Sequence, residues 1–204
     1  MAAPQFGSDG SGQRLAAVLG HRLVEAAAAL VPLRLRADFL RKLKGVSFEA
    51  RGEVRCGEDV LRSEEGEFLF TDSGISGPPV LQLSRSASVA LQKKLEPRIV
   101  LDLFPASSLD ALDGALEVRF RRQGRKSLAD GLVGLLNKRL IPIVLSEAGI
   151  DYHALPGAEF STAARNALAR LLKGWSLAVA GTMPWPEAQA TAGGVDLRDV
   201  NPET

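Results

Sequence analysis

Apolar and polar residues alternate over much of the first half of the chain. This period of two predicts half-buried β-strands, because successive side chains of a strand point to opposite faces of a sheet. Two segments have helical spacing instead, residues 12–20 near the start and residues 84–94 among the strands. The strands are predicted over residues 33–36, 46–51, 68–70 and 99–103.

Over residues 107–173 the apolar period lengthens to about 3.6, which predicts consecutive amphipathic helices. The spacing Ser127-x-x-Asp130, repeated at Ser107, resembles a capping box with Asp in place of Glu, so helices are expected to begin there. Strand-like alternation returns at Trp175–Val179. This order predicts an α+β fold in which a β-rich body carries an inserted small helical bundle.

The composition is that of an ordinary globular protein, with 46% apolar and 24% charged residues, which excludes disorder for most of the chain. The formal net charge is +1, so no overall field draws the chain to nucleic acid or to an anionic membrane. One cysteine and two distant histidines exclude a metal centre built on these residues, and we predict no metal. No apolar stretch approaches the roughly 20 residues that span a bilayer, and the first residues lack a signal peptide. We therefore predict a cytoplasmic protein without a membrane partner.

A glycine-rich loop precedes the first predicted helix. Its residues Gly7, Ser8, Gly10 and Gly12 could present backbone N–H groups to a phosphate at the helix N-terminus. The spacing typical of dinucleotide-binding loops fails, because Leu15 stands where the third glycine should be. A plain flexible N-terminal segment is the alternative.

A cluster of hydroxyl and turn residues follows the strand that ends at Phe70. Such a corner can hold a ligand, and Asp72 could accept a proton or orient a hydroxyl group there. The alternative is a tight structural turn, since no nearby histidine completes a catalytic triad. The candidate residues are Thr71, Asp72, Ser73, Gly74, Ser76, Gly77 and Pro78.

Another candidate site lies at the end of the last extended run. Thr191, Gly193 and Gly194 stand where a flat ligand or another part of the backbone could approach closely. A β-bulge explains the two glycines equally well.

One local run of positive charge could neutralise phosphates. It contains Arg119, Arg121, Arg122, Arg125 and Lys126. Solvated loop charge is the alternative.

Together, several of these segments resemble one family, the YhiN-type flavoproteins, also known as the BaiN/RdsA or aminoacetone oxidase family of FAD-dependent oxidoreductases. The most specific is Gly66–Pro78, which follows the family pattern Gly-Glu-hydrophobic-Leu-Phe-Thr-His-x-Gly-x-Ser-Gly-Pro except that Asp72 replaces the usual histidine. Any proton-transfer role of that histidine is therefore in doubt here. The other matching segments are residues 7–12, 19–21, 29–33, 43–46, 125–136 and 190–195.

The resemblance implies that this chain is the insert of a Rossmann-type FAD domain, made of a β-barrel-like part that carries a small helical bundle, with short borders of the FAD domain at each side. The glycine residues of both borders would then lie near FAD, and residues 71–78 would face the flavin or the substrate. The implied division is 1–22 for the first border, 23–105 for the β-rich part, 106–174 for the helical subdomain, 175–190 for the returning strands and 191–204 for the second border.

The implied function is that of a substrate-side domain in an FAD-dependent oxidoreductase that reduces double bonds by hydride transfer, with NAD(P)H as the reductant. Its partners would be the missing FAD-binding domain and either a small-molecule substrate or ribosomal RNA, which the basic run would contact. We expect the isolated chain to be inactive and not to bind FAD stably. The alternative is an RNA- or protein-binding module that acts through the helical subdomain.

Overall fold

A computed structural model describes residues 1–123, 126–151, 160–201 and 203. The strands are β1 Leu23–Ala29, β2 Leu33–Arg36, β3 Ser47–Cys56, β4 Asp59–Phe70, β5 Gly74–Ser76, β6 Arg98–Asp102, β7 Trp175–Thr182 and β8 Ala190–Val195. The α-helices are α1 Ser11–Val18, α2 Leu40–Leu43, α3 Pro78–Gln92, α4 Leu109–Gln123, α5 Leu128–Leu132, α6 Leu140–Glu147 and α7 Thr162–Lys173. Short 3-10 turns lie at Pro4–Phe6, Trp185–Glu187 and Leu197–Asp199.

Six strands close into an antiparallel barrel in the order β2-β5-β4-β3-β6-β7. The predicted alternation is confirmed, since Leu35, Val54 and Ile99 point into the barrel and are buried. Closure leaves few unpaired strand edges, which is one way in which a small antiparallel sheet avoids edge-to-edge association. The predicted α+β fold with a barrel-like body is therefore confirmed.

Aromatic rings pack against one another in the apolar core of the barrel. The ring centroids of Phe39 and Trp175 lie 5.3 Å apart, and those of Phe70 and Trp175 lie 5.7 Å apart. Gly52 makes room for the ring of Phe68, because a Cβ atom at residue 52 would lie only 2.6 Å from Phe68 Cζ. Burial of such large rings supplies much of the apolar area removed from water on folding.

The four helices α4–α7 are inserted between β6 and β7, as predicted, and they share one continuous apolar core with the barrel. The cap at Ser127 is confirmed, since its Oγ accepts a hydrogen bond from the Asp130 N–H at 3.1 Å. The cap expected at Ser107 is wrong by one residue. Ser108 Oγ accepts from the Ala111 N–H at 3.2 Å, because α4 begins at Leu109.

A half-buried lysine joins the last helix of the bundle to the barrel. The Lys173 ammonium group donates to Asp102 Oδ2 at 2.6 Å. It also donates to the carbonyl oxygens of Phe104 and Ser107, at 2.9 and 2.6 Å. These charge-assisted bonds hold the end of α7 against the connection from β6 to α4.

A two-stranded antiparallel ribbon, β1 with β8, lies outside the barrel and joins Leu23 to Val195 and Ala29 to Ala190. The β-rich part was predicted to start at residue 23, whereas the barrel starts at Leu33, because β1 pairs with β8 and with no barrel strand. The assignment of the ranges to domains of a longer protein stays a prediction.

The two helices predicted in the first half of the chain differ in burial. The predicted helix 84–94 is longer, Pro78–Gln92, and is one of the best-buried helices. Its Gln92 side chain donates to the Ala26 carbonyl oxygen of β1 at 2.7 Å, so it connects the ribbon to the barrel. Helix α1 buries no residue, and Leu15 and Val18 on its apolar face are exposed.

Candidate functional site

The corner between β4 and α3 is shaped by the backbone of the chain itself. The Leu35 N–H of β2 donates to the Ser73 carbonyl oxygen at 3.1 Å. A Cβ atom at Gly74 would lie 1.9 Å from the Leu33 carbonyl oxygen, and one at Gly77 would lie 2.4 Å from the Glu67 carbonyl oxygen. These contacts explain both glycines through chain geometry alone, so a ligand role for residues 71–78 stays a prediction.

Asp72 is exposed at this corner and is paired with a lysine. Lys44 Nζ donates to Asp72 Oδ2 at 3.0 Å. The hydrogen bond and the charge of Lys44 lower the pKa of Asp72 below its usual value. Asp72 is therefore a carboxylate at neutral pH, which accepts hydrogen bonds but has no proton to donate.

The glycine-rich loop before α1 is capped by its own aspartate. Asp9 Oδ1 accepts from the Ser11 N–H at 2.8 Å, and Arg14 donates to Asp9 Oδ2 at 3.2 Å. Hydrogen bonds from Ser11, with the nearby Arg14 charge, lower the pKa of Asp9 from 3.8 to about 2. A negative charge thus already stands at this helix N-terminus, where Gly10 is the N-cap. This carboxylate disfavours a second anion at the same helix end, and a cofactor contact of Gly7, Ser8, Gly10 and Gly12 stays a prediction.

The glycines of β8 mark an irregularity in the ribbon. Gly193 and Gly194 both have positive φ, and a Cβ atom at Gly193 would lie 2.5 Å from the Glu25 carbonyl oxygen. The register of the ribbon shifts opposite this position, which is the β-bulge that the sequence left open as an explanation. Thr191 Oγ1 accepts from the Ala2 N–H at 2.9 Å, so its hydroxyl group ties down the N-terminal residues.

Two of the predicted site segments, the corner and the β1–β8 ribbon, meet at one end of the barrel, where Ala2 joins them. Ser73 Oγ at the corner approaches Met183 Sδ at 3.7 Å. Met183 packs against a small apolar cluster that contains Ala2, Ala28 and Ala188. The corner, Ala2 and the ribbon are therefore neighbours, although residues 2, 73 and 191 are far apart in sequence.

Two of the described members of the basic run already have partners within the protein. Arg119 donates to the carbonyl oxygens of Gly131 and Val133, so its guanidinium is used to hold α5 against α4. Arg121 forms an ion pair with Glu117 at 2.6 Å. Arg122 and Lys126 are exposed, and Arg125 lies outside the described residues. An RNA contact by this run stays a prediction that the geometry of its first two members does not favour.

A cleft that the sequence did not single out lies between α2, α6 and the outer face of β7. Its volume is about 560 Å³, and Arg36, Lys42, Arg98 and Glu147 are among the residues that line it. The sequence feature that could have indicated this cleft is the alternation Leu33-Arg34-Leu35-Arg36, which predicts two arginines on the outer face of a half-buried strand.

The described residues contain no group of three or more His, Cys, Asp or Glu side chains placed to hold a metal ion. In the same part of the chain, no helix has the length and apolar character needed to cross a membrane.

Comparison with known proteins connects this geometry to a family. The chain is 32% identical over 203 residues to a 3-dehydro-bile acid delta(4,6)-reductase of Clostridium scindens, a match that covers 100% of this chain and 49% of that protein. It is 26% identical over 206 residues to ribosomal RNA dihydrouridine synthases of Haemophilus influenzae and Escherichia coli, which covers 48% of each. The chain thus spans about half the length of the curated relatives it matches.

A family model described as the HI0933-like protein barrel and H2TH domain matches residues 27–190. This range contains all six barrel strands and the inserted helices α4–α7. The chain belongs to the HI0933-like protein family, as its resemblance to the YhiN-type flavoproteins indicated.

Proposed function

We propose that this chain is the substrate-side domain of a longer FAD-dependent oxidoreductase that reduces a double bond by hydride transfer, with NAD(P)H as the reductant. The substrate is a small molecule or a base of ribosomal RNA. The names of the relatives, a reductase and two dihydrouridine synthases, support this reaction class. The partner in the longer protein is its FAD-binding domain, and the location is the cytoplasm.

One observation carries this proposal. The corner at residues 71–78, the N-terminal residue Ala2 and the β1–β8 ribbon lie at the same end of the barrel, around Met183 and the small apolar cluster. Neighbouring loops at one end of a closed barrel are a common place for a ligand site. In the proposal, this end of the barrel faces the flavin ring.

Neither the glycine-rich loop, where Asp9 already caps α1, nor the β8 glycines, which the ribbon itself requires, favour binding of the FAD diphosphate. We therefore assign the phosphates of FAD to the other half of the longer protein. When bound, FAD would supply the hydride chemistry. This chain would supply the wall that excludes water and selects the substrate, with Thr71, Ser73 and the Asp72 carboxylate as hydrogen-bonding groups.

The test compares the visible spectra of the full-length protein and of this 204-residue chain after free flavin has been removed from both. We expect flavin absorption bands in the full-length protein only, and we expect NADPH to bleach them. Near-ultraviolet circular dichroism serves as the control that both proteins are folded. A folded full-length protein without flavin would refute the oxidoreductase proposal, and stable flavin bands in the short chain would refute the assignment of the phosphates to the other half.

A further inference from the structure

The outer face of β7 runs between two strands that carry arginines. In the barrel order, β7 lies between β2 and β6, and Ala178 pairs with Arg36 on one side and with Arg98 on the other. Paired residues of neighbouring strands point to the same face of a sheet. Because Leu177 and Ile99 are buried inside the barrel, Arg36 and Arg98 both project to the outside.

The floor between these arginines is made of small residues. Ser176 and Ala178 face outward, and further along β7 lies Gly181, over which the Arg34 guanidinium extends. A Cβ atom at Gly181 would lie 3.4 Å from Arg34 Nη2 and 3.5 Å from Arg34 Nε. The resulting depression, the β7 trough, consists of Arg34, Arg36 and Arg98 above Ser176, Ala178 and Gly181.

The positive charge of the trough is not neutralised by the protein. Within the described ranges, the side chains of Arg34 and Arg36 have no ion-pair or hydrogen-bond partner. Arg98 donates only to the hydroxyl and carbonyl oxygens of Ser176, at 2.7 and 3.1 Å, and both are neutral acceptors. Two carboxylates, Asp38 and Glu147, line the cleft beside Arg36 and Arg98 without forming an ion pair with either arginine.

The neighbouring strands of the same barrel show a different pattern. On β3 and β4, each exposed arginine has its own glutamate partner. The pairs are Arg51 with Glu65 at 3.0 Å, Arg55 with Glu53 at 2.5 Å and Arg62 with Glu64 at 2.6 Å. Among the barrel strands, arginines without acidic partners therefore lie on β2 and β6, where they fit an external anion, although helices α3 and α7 also carry such arginines at Arg85 and Arg170.

We propose that the β7 trough binds successive phosphate groups of a single-stranded RNA. Arg34 and Arg36 lie two residues apart on one strand, a separation of about 6.6 Å, which suits neighbouring phosphates of an extended nucleotide chain better than one small anion. Guanidinium groups recognise phosphate oxygens with two hydrogen bonds. The trough is a shallow groove of the kind that follows a nucleic acid backbone.

The trough leads to the candidate site. Arg34 pairs with Gly74 of the corner on one side and with Gly181 on the other. An RNA strand in the trough would thus pass beside residues 71–78. The inference rests on the proposed function in one respect, which is the choice of RNA as the class of substrate. It needs no flavin, so its failure and the failure of the oxidoreductase proposal are separate outcomes.

The test measures binding of a fluorescein-labelled single-stranded RNA of about 12 nucleotides to the 204-residue chain, by fluorescence anisotropy over a series of salt concentrations. The variant is the double substitution Arg34→Gln and Arg36→Gln, both at exposed side chains. We expect its affinity at low salt to fall about tenfold or more. We expect the slope of log K against log salt to become shallower by about 1.4, since each lost phosphate contact on a single strand contributes about 0.7.

Two comparison pairs remove the same amount of charge elsewhere. Arg85→Gln with Arg170→Gln, at exposed positions on α3 and α7, should leave the slope unchanged. Arg122→Gln with Lys126→Gln tests the basic run, and a loss found in this pair but not at Arg34 and Arg36 would overturn the proposal.

Three further results would also contradict the trough. One is no RNA binding by the unmodified chain at low salt. Another is an equal change of slope in the Arg34/Arg36 and Arg85/Arg170 pairs, which would indicate general charge attraction. The third is competition by free uridine monophosphate as strong as that by unlabelled RNA, which would indicate a site for a single phosphate.

Discussion

At the scale of single residues, Gly74 shows how closely the chain approaches itself at the candidate site. A side chain there would meet the Leu33 carbonyl oxygen at 1.9 Å and Arg34 Cα at 2.8 Å. Both are backbone atoms of β2, which cannot move without opening the barrel between β2 and β5.

We therefore expect Gly74→Ala to destabilise the fold by about 3 kcal/mol, because the added methyl group forces two paired strands apart. The measurement is urea denaturation followed by circular dichroism. The matched substitution is Gly114→Ala at an exposed position of α4, where the added Cβ would have no neighbouring atom within 4 Å. It should stabilise the chain by about 0.5–1 kcal/mol through helix propensity. Equal effects of the two substitutions would contradict the clash.

At the scale of elements, the open end of the β1–β8 ribbon is fastened by ionic groups. Asp199 Oδ2 accepts from the Arg22 N–H at 2.7 Å, and the Arg22 guanidinium binds the same carboxylate. Asp196 caps the turn Leu197–Asp199 by accepting from the Arg198 N–H at 3.0 Å. Hydrogen bonds from Arg22 lower the pKa of Asp199, and those from Arg198 lower the pKa of Asp196.

This arrangement predicts a loosening of the ribbon end in acid. Since the pKa of Asp199 is lower in the folded chain than its usual 3.8, its stabilising contribution is complete above the usual value and is lost as the pH falls through the lowered one. Exchange of the Arg22 amide hydrogen, followed by NMR from about pH 6 to pH 2 and corrected for the intrinsic rate, should reveal the loss. Asp199→Asn should show weak protection across the whole range. Glu58→Gln at the β3–β4 turn is the control and should keep the acid transition of the unmodified chain. If Asp199→Asn also kept that transition, the transition would belong to another group.

At the scale of the whole molecule, two apolar clusters of unequal size hold the chain together. The large one runs through the barrel and helices α4–α7, whereas the small one contains Ala2, Ala28, Val31 and Ala188 with Met183 and Trp185 beside it. Alanine side chains bury little apolar area, so the ribbon has less hydrophobic stabilisation than the barrel.

We expect the ribbon to open independently of the barrel. In native-state hydrogen exchange, amides of the ribbon around Ala27 and Ala192 should exchange through openings of lower free energy than those of the β3–β6 pair around Val54 and Ile99. Mass spectrometry of peptic fragments measures this difference. Identical protection in both regions would indicate that ribbon and barrel unfold as one unit.

Sequence patterns predicted the local parts of this molecule well. The alternation at residues 33–36 and 46–51 corresponds to β2 and β3, and the cap at Ser127 is formed as expected. The cap at Ser107 failed by one residue, because Ser107 and Ser108 both offer a hydroxyl group and only the helix start decides which one is used. The segment at Gly66–Pro78, taken together with the glycine-rich segments near both ends, indicated the family.

Periodicity, turn residues and caps act between neighbours in the chain, so the sequence by itself determined the element types, the β, α, β order and the family. Which strands pair is decided over long separations in sequence, where one pairing excludes another. Only the tertiary structure therefore decided that β1 pairs with β8 outside the barrel and that Arg34, Arg36 and Arg98 flank one strand. Their meeting depends on closure of the barrel, since β7 already pairs with β6 and becomes a neighbour of β2 only when the sheet joins its own edges.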